Sequence, residues 1–551
     1  MDIIKKYALK NAIDHNGKAV AKAVLPKVLG EDPSLKSDIP SLMKNIEAVV
    51  KEVNSMTLDE QISQLKKIAP ELLVRERSVQ GLPDLPNVGS HVVLRLAPYP
   101  SGPLQIGNAR MAILNDEYAK KYNGKLILFY DDTIGTSSTT DKLSKGIMPK
   151  AYGWIEQDLK WLEVEWHETY YKSDRLEIYY DYCEQLIKKG KAYVCTCDAN
   201  VWRSVYKAGK KPCPCRSREV EENLYLWDKM LNGAFSEGKA VVRLKTGMEL
   251  ADPAVRDHVI MRISFKDHPR VGKRYCVWPT MEFSWAIDNY LLGVTHVIRG
   301  KDLMKEDVVE KQIFDMFGWK HINYLHFGRF SIAIPKSKLK EMIKRGEIKE
   351  YDDPRTWNIP SLRRRGIQPE AIREYILHFG MSLADVEGSP EILYGKNRKI
   401  IDPIAKRYYF VKDPVKLRLH GYPVPFEAKV PLHPEVEFGY KLYKLDRGET
   451  YILVEKKDVN KEARLKDLMN VVFSDGEAIY SQDDLSVKKI HWVLDDHKVK
   501  VKVVMPDARV IEGYAESYIK DCKVGDVIQF ERFGFGRVDS LDPVVVYYAH
   551  R

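Results

Sequence analysis

The residues best suited to chemistry fall into a few short groups. Cys195-Thr-Cys197 is followed a short loop later by Cys213-Pro-Cys215. Two close thiol pairs across such a loop can wrap one tetrahedral zinc as a closed structural site; two disulfides or idle thiols are the other readings. Arg95 and Arg299 are planar, permanently charged forks that suit a carboxylate, or serve as salt-bridging arginines at the edge of a core. Lys336-Ser337-Lys338 stands just before LKEMIKRGE. Two lysines there can neutralise charge developing on a departing phosphate group, while Ser337 alone would be a helix cap. Arg363, Arg364 and Arg365 form a run that can grip a phosphate backbone or simply face solvent.

These groups need elements to hold them. His91 to Ala97 is apolar apart from Arg95 and predicts a strand buried in a parallel sheet. The following stretch, RLAPYPSGPLQIGNAR, leads into NARMAILNDEYAKKY, whose apolar residues recur at helical spacing, so a helix should begin near Gly107. Pro98, Pro100 and Pro103 stiffen the connection, and Gly102 and Gly107 lack side chains where a ligand would approach the backbone. The amides and positive dipole end of that helix should face an anion such as a triphosphate, with Ser101, Gln105 and Asn108 beside it. A second apolar run, KLILFYDD, ends in Asp131, Asp132 and Thr133, where polar side chains at a strand's carboxyl edge would line a ligand crevice or cap a turn.

Helical patterning covers residues 1 to about 85 and much of 142–190, and strands with alternating character (KAVVRLKTG, HVIMRISF) suggest a module inserted between halves of a nucleotide-binding fold. From about Asn397 the texture changes to short strands and turns (KLRLHGY, TYILVEKK, HKVKVKVVMP, VGDVIQFERFGFGRVD), which predicts antiparallel barrels. The chain has 551 residues, enough for several domains, and a formal charge of +10, which favours a polyanionic partner. No window is long and apolar enough for a membrane span, and the N-terminus lacks a signal-peptide pattern, so a cytoplasmic protein with reduced thiols is expected.

Taken in order, these stretches carry a resemblance. RLAPYPSGPLQIGN is similar to the first signature of class I aminoacyl-tRNA synthetases, in the archaeal and eukaryotic-like form of the glutamate/glutamine branch, with Gln105 and Asn108 where the family has histidines. VWPTMEFSWAIDNYLLGVTHVIRGKD resembles that family's helix and following strand, with Met281 in place of Tyr. IPKSK resembles its Lys-Met-Ser-Lys-Ser loop, and Cys-x-Cys pairs recur in the insertion that contacts the acceptor end. Phe129 and Ile134 stand where relatives have Arg and Asp.

The resemblance implies a multidomain α/β protein: a helical N-terminal extension (1–87), a class I Rossmann-type catalytic domain in two halves (88–190 and 271–340), a zinc-bearing insertion (191–270), a helical stem (341–396) and anticodon-binding β-barrels (397–551). It implies a glutamate–tRNA ligase that uses ATP and Mg2+ and acts on tRNA(Glu), with tRNA(Gln) as a further acceptor to consider, and that works as a monomer. A glutaminyl enzyme and a tRNA-binding paralogue with little ligase activity are the rivals. On this resemblance Arg95, Arg299 and Met281 meet the amino acid's carboxylates and side chain, Asp131 its amino group, Pro98, Ser101, Gly102, Gly107 and Asn108 the ATP, and Lys336, Ser337 and Lys338 the phosphates. Gln105, Asn108, Lys336 and Lys338 would assist the chemistry.

Overall fold

A computed structural model of the 551-residue chain describes residues 2–14, 17–69, 81–134, 146–331, 341–343, 345–348, 350–482 and 487–551. Lys336, Ser337 and Lys338 lie outside the described residues. The chain divides into two compact units, Met1–Gly81 and Leu82–Arg551.

The first unit is helical. Its helices Asp2–Asp14, Ala21–Glu31, Ile39–Asn54 and Leu58–Ile68 turn their periodic apolar faces onto one small core, in which Ala8, Leu9, Val28, Ile46, Val53 and Leu65 are fully buried. Thr57 and Glu60 form a reciprocal capping box at the start of the last helix, satisfying two backbone donors that the helix itself cannot. The compact unit ends at Gly81, short of the 87 expected, because the next residues pack onto the second unit. The carbonyls of Pro83 and Pro86 accept from Tyr118 Oη at 2.9 Å and pair with His296 Nε2 at 2.7 Å.

The second unit is built on a parallel sheet. Strands β1 (Val93–Leu96), β2 (Lys125–Tyr130) and β3 (Glu168–Tyr171) run parallel in the order β1-β2-β3. Apolar residues bury β1 and most of β2 on both faces, as parallel strands covered by helices require. The helix Ile106–Lys121 returns the chain from β1 to β2. At its end Gly124 comes so close to the first strand that a Cβ there would lie 2.6 Å from the Val92 carbonyl oxygen, so only glycine fits.

Between the two halves of this sheet lies an antiparallel sheet of β4 (Ala192–Cys195), β5 (Val241–Leu244), β6 (Val259–Ile263) and β7 (Val277–Pro279). The chain then makes the helix Met281–Leu291 and the parallel pair β8 (His296–Gly300) and β9 (Asn323–Phe327). Thr295 ties this pair to the other side of β1, its amide donating to the Val93 carbonyl at 3.0 Å and its hydroxyl accepting from the Val93 amide at 3.0 Å. The strand order therefore reverses beside β1, and the crevice at such a switch point is where open α/β sheets bind ligands.

Helices Ile359–Arg364, Pro369–Phe379 and Pro390–Ile401 form the stem. The last corrects the expected start of the β region at Asn397, which is a fully buried helical residue; the first barrel strand begins at Lys406. Two seven-stranded sheets follow, and the chain does not complete them one after the other. Lys406–Tyr408 and Phe410–Lys412 open one sheet, strands between 414 and 494 build the other and a separate two-stranded ribbon of Phe426–Pro431 and Tyr440–Leu445, and residues 498–550 return to close the first. Alternating burial along Pro414–His420 shows the half-buried pattern of a barrel strand. Among the described residues no helix is long and apolar enough to cross a membrane.

Candidate active site

The loop after β1 is held in place by its own backbone. The Pro98 carbonyl accepts from the Asp131 amide at 3.1 Å and the Pro100 carbonyl from Met148 at 2.9 Å, while the Leu104 amide donates to Asp158 Oδ2 at 2.9 Å. Ser101 is buried, and Gly102 has φ +148°, which L side chains rarely adopt. In the first turn of the following helix the amides of Ile106, Asn108 and Ala109 donate to the carbonyls of Trp357, Gln105 and Gln105. Among the described residues the Gly107 amide makes no hydrogen bond, so the set of free amides expected to face an anion narrows to that one. Gln105 and Asn108 flank it, half-buried.

At the other strand ends the structure gathers charge around one indole. The side chain of Trp285, from the helix after β7, carries Lys172 Nζ at 4.8 Å from its ring centre, Arg95 at 5.0 Å and Arg299 at 5.1 Å. Arg95 Nε donates to Asn289 Oδ1 at 2.7 Å, and Asn289 passes the bond on to Glu310 Oε2 at 2.9 Å. Arg299 Nη1 pairs with Glu310 Oε1 at 2.8 Å and Nη2 with Asp307, whose other oxygen lies 3.0 Å from His326 Nε2. Lys172 Nζ, fully buried, pairs with Asp131 Oδ1 at 2.9 Å, and Thr133 Oγ1 donates to the same oxygen at 3.3 Å.

The consequences differ among the cations. Burial lowers the Arg299 pKa, but Glu310 and Asp307 more than offset it and the net shift is upward. Burial depresses Arg95, Glu310 resists and the like charge of Arg299 adds to the fall, leaving it at about 10. Lys172 is likewise pushed down by burial, against the pull of Asp131. Arg95 Nη2 is buried without a hydrogen-bond partner among the described residues. Such a donor is costly to bury unpaired, and a carboxylate is its natural complement.

Of the expected site residues, Arg95, Asp131 and Arg299 thus meet at one place. Met281 opens the helix that carries Trp285, with its side chain half-buried. The reading of the sequence missed Lys172, Trp285, Asn289, Asp307 and Glu310. Trp285 and Asn289 share a helix face at i, i+4 spacing, and Asp307 and Glu310 do so at i, i+3; nothing in the sequence, however, tied those faces to Arg95. His296, read as a packed strand-end histidine, is fully buried between Thr295 and Pro86.

The cysteines also converge. Cys195 closes β4, Cys213 precedes a short 3-10 turn at Pro214–Ser217, and the four sulfurs of Cys195, Cys197, Cys213 and Cys215 all lie within 4.8 Å of one another. Cys195 and Cys213 are 3.9 Å apart and Cys197 and Cys215 3.6 Å, and all four are free thiols, not disulfides. Metal–thiolate bonds of about 2.3 Å in a tetrahedron require sulfurs roughly 3.8 Å apart, so the donor set fits one ion. Tyr193 Oη stands 3.6 Å from Cys213 Sγ and donates to Asp257 at 2.9 Å, supporting the cluster from outside.

The arginine run divides. Arg365 is turned into the stem, where it donates to the carbonyls of Tyr548 at 3.2 Å and Ala549 at 2.7 Å and clamps the last strand of the chain. That corrects the expectation of a phosphate contact, since its donors are committed to buried backbone. Arg364 pairs with Asp539 at 2.8 Å and Asp352 at 3.1 Å. Together with Arg363, Arg537 and Pro360 these residues line a cavity of about 290 Å³.

Comparison with known proteins agrees with this arrangement. Residues 91–402 match the model for tRNA synthetases class I (E and Q), catalytic domain, and residues 405–492 and 489–539 match two models for the anti-codon binding domain of the same group. The chain is 43% identical over its whole length to the glutamate–tRNA ligase of Methanothermobacter marburgensis, of which it covers 99%. It is 42% identical, again over its whole length and 99% of the relative, to the enzyme of that name from Methanocaldococcus jannaschii. With β1 carrying the glycine loop, a switch-point crevice and barrels beyond the stem, the chain belongs to the class I tRNA synthetases of the glutamate and glutamine group.

Proposed function

We propose that this chain is a glutamate–tRNA ligase. A carboxylate oxygen of glutamate attacks the α-phosphorus of ATP, pyrophosphate leaves, and the resulting acyl-adenylate is attacked by a hydroxyl of the terminal ribose of tRNA(Glu), releasing AMP. The observation that carries this reading is the unpaired donor of Arg95, buried beside Arg299 and Lys172 at the ends of β1 and β8. That environment favours a substrate with more negative charge than glutamine. Asp131 receives the amino group, and Met281 lies along the side-chain end. The loop Pro98–Gly102, with Gly107, Gln105 and Asn108, holds ATP with its Mg2+. Lys336, Ser337 and Lys338 stabilise the departing phosphates.

Zinc is the ion that best suits the cysteine cluster: four thiolates with no open position make a structural centre. Metal analysis should find one equivalent in the purified protein and none after Cys213→Ser. Arg363 and Arg364, with the barrels, are the proposed tRNA contacts. A monomer working in the cytoplasm fits these features.

The test is aminoacylation with radiolabelled glutamate, ATP and Mg2+, with tRNA(Glu) and tRNA(Gln) transcripts in separate reactions. Charging of tRNA(Glu) supports the ligase, and charging of both transcripts makes it non-discriminating. Charging with glutamine alone would replace the reading by the glutaminyl one; tRNA binding without any charging would replace it by the paralogue.

A further inference from the structure

The charges nearest Trp285 balance, and Lys172 is one of the cations that make them do so. Arg95, Arg299 and Lys172 stand against Asp307, Glu310 and Asp131. The other ion pair close to Lys172, Arg175 with Asp288 at 2.7 Å, is neutral in itself. Remove the ammonium of Lys172 and carboxylates outnumber cations around the crevice. Glutamate brings one more negative charge than glutamine, so its admission depends on that balance in a way that glutamine's does not.

Lys172 is placed to act on ligands and not merely on the fold. It comes from a single 3-10 turn, Lys172–Asp174, after β3, and reaches across the end of β2 with its side chain fully buried. Its ammonium lies 6.0 Å from the Phe129 ring centre and 4.8 Å from that of Trp285. Aromatic faces supply some attraction but no hydrogen bond, and its ion-pair partner is Asp131. A lysine held on two ring faces, with one carboxylate oxygen to answer it, is a poor way to stabilise a core, because desolvating the ammonium is expensive.

We propose that Lys172 is a specificity-determining residue of the amino-acid site: it occupies Oδ1 of Asp131, so that the substrate ammonium is received at the other oxygen. It also supplies the positive charge that lets the crevice accept a dicarboxylic amino acid in preference to its amide. This rests on the reading of the chain as a glutamate–tRNA ligase, and direct binding keeps the two separable. Equilibrium binding of L-glutamate and L-glutamine would be measured by titration calorimetry for the parent chain, Lys172→Met, Lys172→Gln and Lys172→Arg, with charging of tRNA(Glu) assayed in parallel.

The expected result is glutamate affinity reduced about tenfold or more in Lys172→Met, glutamine affinity changed less than about twofold, and glutamate affinity largely restored in Lys172→Arg. A parent that binds glutamate but charges no tRNA would refute the ligase reading alone. Equal loss of both amino acids in Lys172→Met, unchanged glutamate affinity, or a parent that binds neither would overturn the role of Lys172. Should Lys172→Met fail to fold, Lys172→Gln, which keeps a donor for Asp131 without the charge, decides the question by the same ratio of affinities.

Discussion

Where the two-stranded ribbon meets the C-terminal sheet, Lys441 and Glu516 are each almost completely buried and leave nothing unanswered. Lys441 Nζ donates to both carboxylate oxygens, at 3.0 and 2.8 Å, and to the Arg407 carbonyl at 3.2 Å. Glu516 also accepts from the Tyr443 hydroxyl at 2.7 Å and the Tyr409 amide at 3.0 Å. The charges around Trp285 are buried almost as deeply, yet Arg95 Nη2 and Arg299 Nε have no hydrogen-bond partner among the described residues. The first network is closed and fixes one strand ribbon against the C-terminal barrel. The second is open, and its missing partners are those that an amino acid with two carboxylates would bring. On the proposed reading, it is hydrogen-bond satisfaction more than burial that distinguishes the closed pair from the site around Trp285.

This contrast can be broken by experiment. Lys441→Met strands a buried carboxylate and should cost about 3–5 kcal/mol in denaturant unfolding, with glutamate binding unaltered. Arg95→Met should do the reverse, lowering kcat/KM for glutamate about a hundredfold while the melting temperature holds or rises, since an under-paired buried cation has gone. A large loss of stability in Arg95→Met would show the open network to be structural as well.

Acid tests the closed side. Burial raises the pKa of Glu531 in the C-terminal barrel, but the nearby His491, 3.8 Å away, and the hydrogen bond and charge of Lys466 outweigh it and bring the carboxyl down to about 2. Because the folded value lies below the unfolded one, the stabilisation is complete above the ordinary glutamate pKa of about 4.3 and is lost as pH falls toward 2. About 3 kcal/mol should disappear over that interval, and Glu531→Gln should flatten the curve. The smallest effect belongs to Tyr443→Phe, which takes one of several donors from Glu516 and should cost about 1 kcal/mol; a much larger loss would mean that the network is less redundant than its hydrogen bonds imply.

Much of this architecture was legible in the sequence. Apolar runs around Arg95 and before Asp131 gave parallel strands, and the proline- and glycine-rich stretch between them gave the turn from β1 into the helix Ile106–Lys121. The alternation expected from about Asn397 predicted barrels, and the cysteine pairs their own convergence. The expected stem stopped at 396, short of the true end of the helix Pro390–Ile401, because its last turns hold Gly395 and Asn397, both weak helix formers. Arg365 was misread because a run of arginines looks the same whether it faces water or caps the carbonyls of a strand far along the chain.

What the sequence determined by itself was local: periodicity sets strand or helix, thiol spacing sets a metal-sized cluster, and glycine marks where backbone must come close. Only the tertiary structure decided which charges face one another. Lys172, Arg95, Trp285 and Arg299 come from four separate elements and share no spacing rule. Their meeting at the strand ends follows from the reversal of strand order beside β1, and the free energy of a buried charge depends on neighbours that only the assembled fold supplies.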